Sequence, residues 1–165
     1  MNQYVIDASV AIKWLVEEEG TVEALTILEK AKLSAPDLFV AECANILWKK
    51  VRRKELSRDE AQTGARLLEQ AGIEILPTRH LLGVATSLAV ELDHPAYDCI
   101  YLALAMERDW RFATADLRFQ HKVREHQSGQ YSSIVLSLTE AAAELTGKKG
   151  SVTDKTGHDG TPDMT

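Results

Sequence analysis

The sequence predicts an α/β domain in which helices cover both faces of a mainly parallel central sheet. Short apolar segments alternate with helix-like segments along the chain, which is typical of parallel strands connected by helices. The 165 residues are enough for one domain with a sizeable core. A content of 45% hydrophobic and 27% charged residues is that of an ordinary folded globular protein.

The first third of the chain predicts one strand and three helices. Residues 4–6 form a short inner strand, and Ser9 is the expected N-cap of the helix that follows. A second helix follows Gly20 and extends to about residue 32. Pro36 then opens a long third helix, whose apolar residues recur at helical spacing.

The remaining residues continue the alternation of strands and helices. The segment SRDE at residues 57–60 has the form of a capping box, and Gly72 is placed to end the helix that the box begins. Further strands are predicted at residues 73–76, in RFATAD and in SSIVLSL. Helices are predicted between them, at about residues 80–92, from Pro95 onward and around residues 118–125.

The composition changes abruptly at Gly147, after which the chain is polar and has no apolar periodicity. We therefore predict one domain over residues 1–146 and a flexible polar tail over residues 147–165. No apolar segment approaches the ~18 residues that a transmembrane helix needs, so we expect no membrane association.

The charge of the chain argues against a generally basic nucleic-acid-binding surface, because the net charge is −6. A local basic cluster is nevertheless present at the end of the third predicted helix. It consists of Lys49, Lys50, Arg52, Arg53 and Lys54. The cluster either contacts an RNA backbone or is a solvated face that the helix dipole favours.

The two cysteines, Cys43 and Cys99, have no CxxC spacing, and the N-terminus has no secretory apolar segment. These features predict a protein of the reducing cytoplasm. Both cysteines are then expected to be small buried helix residues, and a disulfide between them is the alternative.

Four acidic residues occur where an ordinary surface acid is not expected. Asp7 and Asp116 each follow a predicted strand, and parallel α/β sheets bind ligands beyond these strand ends. Glu42 and Asp98 lie within helices, beside apolar residues at helical spacing. The alternative roles are helix N-capping for Asp7 and Asp116, and pairing with a basic residue such as Lys13 for Glu42.

A counter-charge is needed if these four carboxylates converge. Each close pair would otherwise repel by roughly 4 kcal/mol at an effective dielectric constant of about 20. Mg²⁺ or Mn²⁺ suits the task because both ions prefer oxygen ligands. The sequence therefore predicts a divalent-cation site formed by an acidic quartet, namely Asp7, Glu42, Asp98 and Asp116.

Four blocks of the sequence resemble a known family. VIDASVAIKWL, PDLFVAECANILWK, HPAYDCIYLALA and ATADLRF are similar, in order and spacing, to the signature blocks of PIN-domain proteins. The similarity runs from about residue 3 to residue 140 and is strongest to VapC-type toxins of toxin–antitoxin pairs. It implies a three-layer α/β/α PIN-like fold, a Mg²⁺- or Mn²⁺-dependent endoribonuclease acting on RNA, a VapB-like antitoxin partner and frequent homodimerisation.

The resemblance also implies roles for individual residues. The family's acidic positions match the same quartet, and its polar helpers near the metal match Ser9 and Thr114. Ordinary capping or turn formation is the alternative role for these two hydroxyl groups. A groove for an antitoxin helix would be formed by apolar residues of the early helices, Ile12, Leu15, Leu25 and Leu28.

Other classes of function fit the sequence less well. A phosphatase that forms an aspartyl phosphate at Asp7 would need a second Asp at position 9, where this chain has Ser9. A phospho-acceptor receiver would need an adjacent acid pair near the N-terminus, which this sequence lacks. Metal-free catalysis by histidine is disfavoured because His94, His121 and His126 lack apolar sequence surroundings that would position them. A non-catalytic interaction module is the last alternative.

Overall fold

The computed structural model of the chain describes residues 1–147, which form one sheet surrounded by helices. The strands are β1 (Gln3–Ile6), β2 (Lys32–Pro36), β3 (Glu74–Leu76), β4 (Arg111–Ala113) and β5 (Val135–Leu136). The helices are α1 (Ala8–Ala11), α2 (Thr21–Lys30), α3 (Leu38–Arg52), α4 (Arg58–Gln70), α5 (Leu82–Leu92), α6 (Ala96–Arg108), α7 (Leu117–Glu125) and α8 (Leu138–Thr146). Short 3₁₀ turns at Ile12–Trp14 and Arg79–Leu81 extend α1 and precede α5.

The sheet has the strand order β3-β2-β1-β4-β5, and every pair of neighbouring strands is parallel. Tyr4, Val5 and Ile6 of the central strand β1 are all fully buried. Successive residues of a strand point to opposite faces, so helices cover the sheet on both sides. The predicted α/β domain with a parallel sheet is confirmed.

The strand order reverses at β1, because the chain steps from β1 towards β2 and β3 and later returns to β4 on the other side. In parallel α/β folds, the crevice for ligands lies at this switch point, beyond the carboxyl ends of the strands. The chain reaches Asp7 directly after β1 and Thr114 directly after β4. The topology therefore brings two of the predicted site residues to one place.

The sheet has five strands, whereas the sequence predicted four. The additional strand is β2, where the sequence predicts the end of one helix and the start of the next. Ser34 and Ala35 are weak strand formers, and both are buried because β2 pairs with β1 on one side and β3 on the other. Pro36 ends this strand, and α3 begins two residues later, with Asp37 as its N-cap.

Most predicted helix boundaries are confirmed. The capping box of α4 forms between Ser57 and Glu60, and Gly72 adopts a positive φ of 72° just after the helix. The prediction of Ser9 as an N-cap is wrong, since the side chain of Asp7 caps α1 by accepting from the Val10 amide. Helix α8 ends at Thr146, and the predicted tail beyond Gly147 lies outside the described residues.

Both cysteines are buried and free, so the predicted disulfide alternative is not formed. Cys43 lies on α3 and Cys99 on α6, as expected for small core residues. Among the described residues, no helix combines the length and the apolar character needed to cross a membrane.

Candidate metal centre at the carboxyl edge of the sheet

Asp7 is the most deeply buried member of the acidic quartet, with 4% of its surface exposed. Its Oδ1 accepts hydrogen bonds from Ser9 Oγ at 2.5 Å and from the Val10 amide at 3.2 Å. Its Oδ2 accepts a hydrogen bond from Thr114 Oγ1. Asp7 therefore combines the capping role left open by the sequence with a fixed position at the switch point of the sheet.

Burial raises the pKa of Asp7 to about 7, although the hydrogen bonds from Ser9 and Thr114 act in the opposite direction. The negative charge of Asp98 raises this pKa further. The interior therefore disfavours the charged form of Asp7, and a bound cation would offset that cost.

Ser9 and Thr114 connect the end of β1 to the end of β4. Ser9 Oγ accepts a hydrogen bond from the Ala115 amide at 3.1 Å while donating to Asp7. Thr114 Oγ1 accepts a hydrogen bond from the Asp116 amide at 3.0 Å while donating to the carboxylate of Asp7. The two hydroxyl groups thus hold the acid of one strand end against the backbone of the other.

Asp116 caps α7 through its Oδ1, which accepts hydrogen bonds from the amides of Arg118 at 2.9 Å and Phe119 at 3.1 Å. The predicted alternative of N-capping is therefore observed. Capping engages one oxygen only, so it leaves Oδ2 available for a ligand. The carboxylate also lies close to Asp98, whose pKa its charge raises.

Asp98 occupies the first turn of α6, where it follows the N-cap Pro95 by three residues. Its Oδ2 lies 2.6 Å from Nε2 of His94. Burial raises the pKa of Asp98, and the hydrogen bond from His94 lowers it. One potential ligand atom from each of His94, Asp98 and Asp116 lies within 4.8 Å of the others, a spacing that suits one metal ion.

Glu42 lies on α3, where its Oε2 accepts a hydrogen bond of 2.5 Å from the hydroxyl of Tyr101 on α6. Burial raises the pKa of Glu42, and the charge of Asp98 adds to this increase. The alternative pairing with Lys13 is wrong, because Lys13 Nζ instead contacts Glu18 Oε1 at 3.1 Å and the Glu19 carbonyl at 2.8 Å.

Three of the four acids share one pattern of hydrogen bonding. In Glu42, Asp98 and Asp116, a protein donor holds one oxygen, and the other oxygen accepts no hydrogen bond from the described residues. Within the described part of the chain, the only ion pair that involves the quartet is the one between His94 and Asp98. These acids are fixed in place, and no lysine or arginine of the described segment neutralises them. An oxygen-rich set of this kind fits Mg²⁺ or Mn²⁺.

The basic cluster lies away from this centre. Lys49, Lys50 and Arg52 occupy the last turn of α3, and Arg53 caps its end. With a rise of about 1.5 Å per residue, Arg52 is about 15 Å along the helix axis from Glu42. Lys50 pairs with Glu55 at 3.0 Å. The structure therefore does not bring the basic cluster into the acidic centre.

Sequence reasoning missed two residues of the centre, Tyr101 and His94. The prediction that His94 lacks apolar surroundings is wrong, because its ring packs against Phe119 with 4.9 Å between centroids and only 9% of its side chain is exposed. The spacing of four residues between His94 and Asp98 was a usable signal. No comparable signal linked Tyr101 to Glu42, because 59 residues separate them.

Comparison with known proteins places this geometry in a family. The PIN domain model matches residues 4–125, a range that contains the whole acidic quartet. Ribonuclease VapC3 of Pyrobaculum aerophilum is 32% identical over 124 residues, which cover 72% of this chain and 92% of that protein.

Two solved structures have the same fold at low sequence identity. The crystal structure of PAE2754 from Pyrobaculum aerophilum is 18% identical and has a TM-score of 0.65, covering 88% of this chain and 90% of its own. VapBC2 from Rickettsia felis, bound to a DNA fragment from its promoter, is 11% identical with a TM-score of 0.58, covering 82% of this chain and 98% of its own. By the match to the family model and the identity to a curated relative, this chain belongs to the PIN-domain family.

Proposed function

We propose that this protein is a Mg²⁺- or Mn²⁺-dependent endoribonuclease and the toxin of a VapBC-type pair that acts in the cytoplasm. The observation that carries the proposal is the set of fixed carboxylates at the switch point of the sheet, which have no lysine or arginine partner among residues 1–147. Membership of the PIN-domain family and the identity to a relative named Ribonuclease VapC3 support the choice of RNA as substrate.

Asp98 and Asp116 would hold the ion through oxygens that protein donors leave unused, with Glu42 and the buried Asp7 beside them. When bound, the ion supplies Lewis-acid stabilisation of the scissile phosphate and lowers the pKa of a nearby water. The acids are held by donors on α1, on α6 and directly after β4, so they need little rearrangement to bind it.

Glu42 is the best candidate for accepting a proton from the attacking water. Its raised pKa brings the carboxylate closer to the range in which a general base works at neutral pH. The hydrogen bond from Tyr101 fixes Oε2, which leaves Oε1 to take the proton. The basic cluster on α3 would contact the RNA backbone at a distance from the scissile bond.

Metal dependence is the first test of this proposal. We expect the purified protein to cleave RNA with Mn²⁺ or Mg²⁺ and to lose all cleavage in excess EDTA, with activity restored by added Mn²⁺. The measurement is gel analysis and end-mapping of total RNA, with a DNA strand of the same sequence as a control. Cleavage that persists in EDTA would contradict the metal centre, and labelling of Asp7 by acetyl phosphate would favour the phosphatase or receiver alternative.

An antitoxin would dock in a groove between the early helices and α4. Ile12 cannot contribute to this groove because it is 3% exposed, and Leu25 and Leu28 do not line it, so the sequence prediction was wrong for these three residues. Leu15 does line the groove, which has a volume of about 400 Å³. The other apolar lining residues are Trp14, Leu47, Leu56 and Leu67. An apolar groove between helices suits the apolar face of an amphipathic helix.

A charge in this groove should prevent antitoxin binding. Leu67 is 53% exposed, so Leu67→Glu should fold normally and yet lose the complex with the product of the neighbouring reading frame. Leu82→Glu is the matched control, because Leu82 is 73% exposed and lies on α5, outside the groove. Co-purification and size-exclusion chromatography measure both complex formation and the expected homodimer. A complex that survives Leu67→Glu would place the antitoxin elsewhere.

A further inference from the structure

We propose that His94 is a positioning residue for the metal centre: its Nε2–H donates to Asp98 Oδ2 and thereby directs Oδ1 towards the ion. This inference rests on the proposed function, since it concerns the same centre. His94 belongs to neither the predicted quartet nor its predicted polar helpers. Its contacts with Asp98 and Phe119 in the folded chain assign it to the metal centre.

The backbone fixes His94 at the junction between α5 and α6. Asp93 adopts a left-handed conformation with φ 47°, and its amide donates to the Val90 carbonyl at 3.4 Å. The His94 amide donates to the Ala89 carbonyl at 3.1 Å. This pair of hydrogen bonds is a Schellman motif, and Pro95 follows it at the start of α6. The Cα of His94 is therefore held at a defined place beside the first turn of α6.

The side chain of His94 is held by a second element. Its ring packs against the fully buried ring of Phe119 on α7, at an interplanar angle of 49°. Phe119 lies three residues after Asp116, and its amide donates to that carboxylate. His94 thus fixes Asp98 relative to α7, the helix that Asp116 caps. The separation between Asp98 and Asp116 determines whether one ion fits between them.

Nε2 of His94 lies 2.6 Å from Asp98 Oδ2, within hydrogen-bond distance. A ring that carries its proton on Nε2 donates to this carboxylate, and its Nε2 then has no lone pair for a metal. Carboxylates that bind metals are themselves held by hydrogen-bond donors in other proteins, and losing such an outer partner typically costs 10- to 100-fold in metal affinity or activity.

Two variants with the same functional group test this role. The amide nitrogen of His94→Gln reaches the position of Nε2, whereas that of His94→Asn reaches only the position of Nδ1. We expect His94→Asn to weaken Mn²⁺ and Mg²⁺ binding alike, by about 10- to 100-fold, and His94→Gln to restore most of the affinity. Isothermal titration measures binding without reference to activity, and thermal unfolding of the metal-free proteins checks that both variants fold.

Three results would overturn the inference. Equal Mn²⁺ affinity in wild type and His94→Asn would show that Asp98 needs no positioning. Equal losses in both variants, larger for Mn²⁺ than for Mg²⁺, would make His94 a direct ligand instead, because an imidazole nitrogen favours the transition metal. Absence of binding by the wild type would remove the metal centre, and the proposed function with it, whereas the first two results would leave that function intact.

Discussion

Asp98→Asn is expected to reduce RNA cleavage about a thousandfold and to abolish measurable Mn²⁺ binding. A metal ion supplies several kcal/mol of transition-state stabilisation, and each 1.4 kcal/mol corresponds to about tenfold in rate. Asp98 is the hub of the quartet, because its charge raises the pKa values of both Asp7 and Glu42. Asparagine keeps the size of the side chain and its place in the first turn of α6, but it removes the anionic charge.

Asp93→Asn provides the matched control for this experiment. Asp93 lies five residues earlier, its side chain is 97% exposed, and asparagine tolerates its left-handed conformation. Its contact with Lys122 at 3.4 Å is a surface ion pair that contributes little to stability. Cleavage assays and Mn²⁺ titration should find this variant close to wild type. Equal growth arrest by wild type and Asp98→Asn after induction in cells would contradict the nuclease mechanism.

Asp7→Asn is expected to stabilise the metal-free protein at pH 8 while abolishing cleavage. The pKa of Asp7 rises from 3.8 to about 7 on folding, so the folded state binds more protons than the unfolded state between these values. The stabilising contribution of protonated Asp7 is complete below about pH 4 and is lost as the pH rises through about 7. The charged form costs up to about 4 kcal/mol at pH 8, and the neutral asparagine avoids this cost.

Thermal unfolding in EDTA over a range of pH measures this effect. At pH 8 the variant should melt about 10 °C above wild type, since 1 kcal/mol corresponds to roughly 2–4 °C for a chain of this size. The difference should vanish at pH 4, where Asp7 is neutral in the wild type. Excess Mg²⁺ should raise the melting temperature of wild type only.

Asp109→Asn is a suitable control because Asp109 is exposed and has a positive φ of 54° that asparagine tolerates. It should melt like wild type throughout the pH range. A wild-type protein whose stability does not change between pH 5 and pH 8 would contradict the raised pKa of Asp7.

Much of the fold could be predicted because the signals are local. The capping box at Ser57 and Glu60 and the positive φ at Gly72 depend on residues a few positions apart. The convergence of Asp7 and Thr114 could be predicted because parallel strands end at one edge of a sheet. Strand β2 could not be predicted, because Ser34 and Ala35 have no strand preference and form a strand only through pairing with β1 and β3.

The sequence by itself determined the type of domain, because this depends on short local patterns. It also predicts an acidic quartet and a hard cation to balance it, and both predictions follow from the chemistry of carboxylates. Only the tertiary structure decided which oxygen of Glu42, Asp98 and Asp116 is held and which is left for a ligand. Tyr101 donates a hydrogen bond to Glu42, 59 residues away in sequence. His94, between α5 and α6, packs against Phe119 on α7. Such contacts arise from the packing of distant segments, which no local pattern encodes.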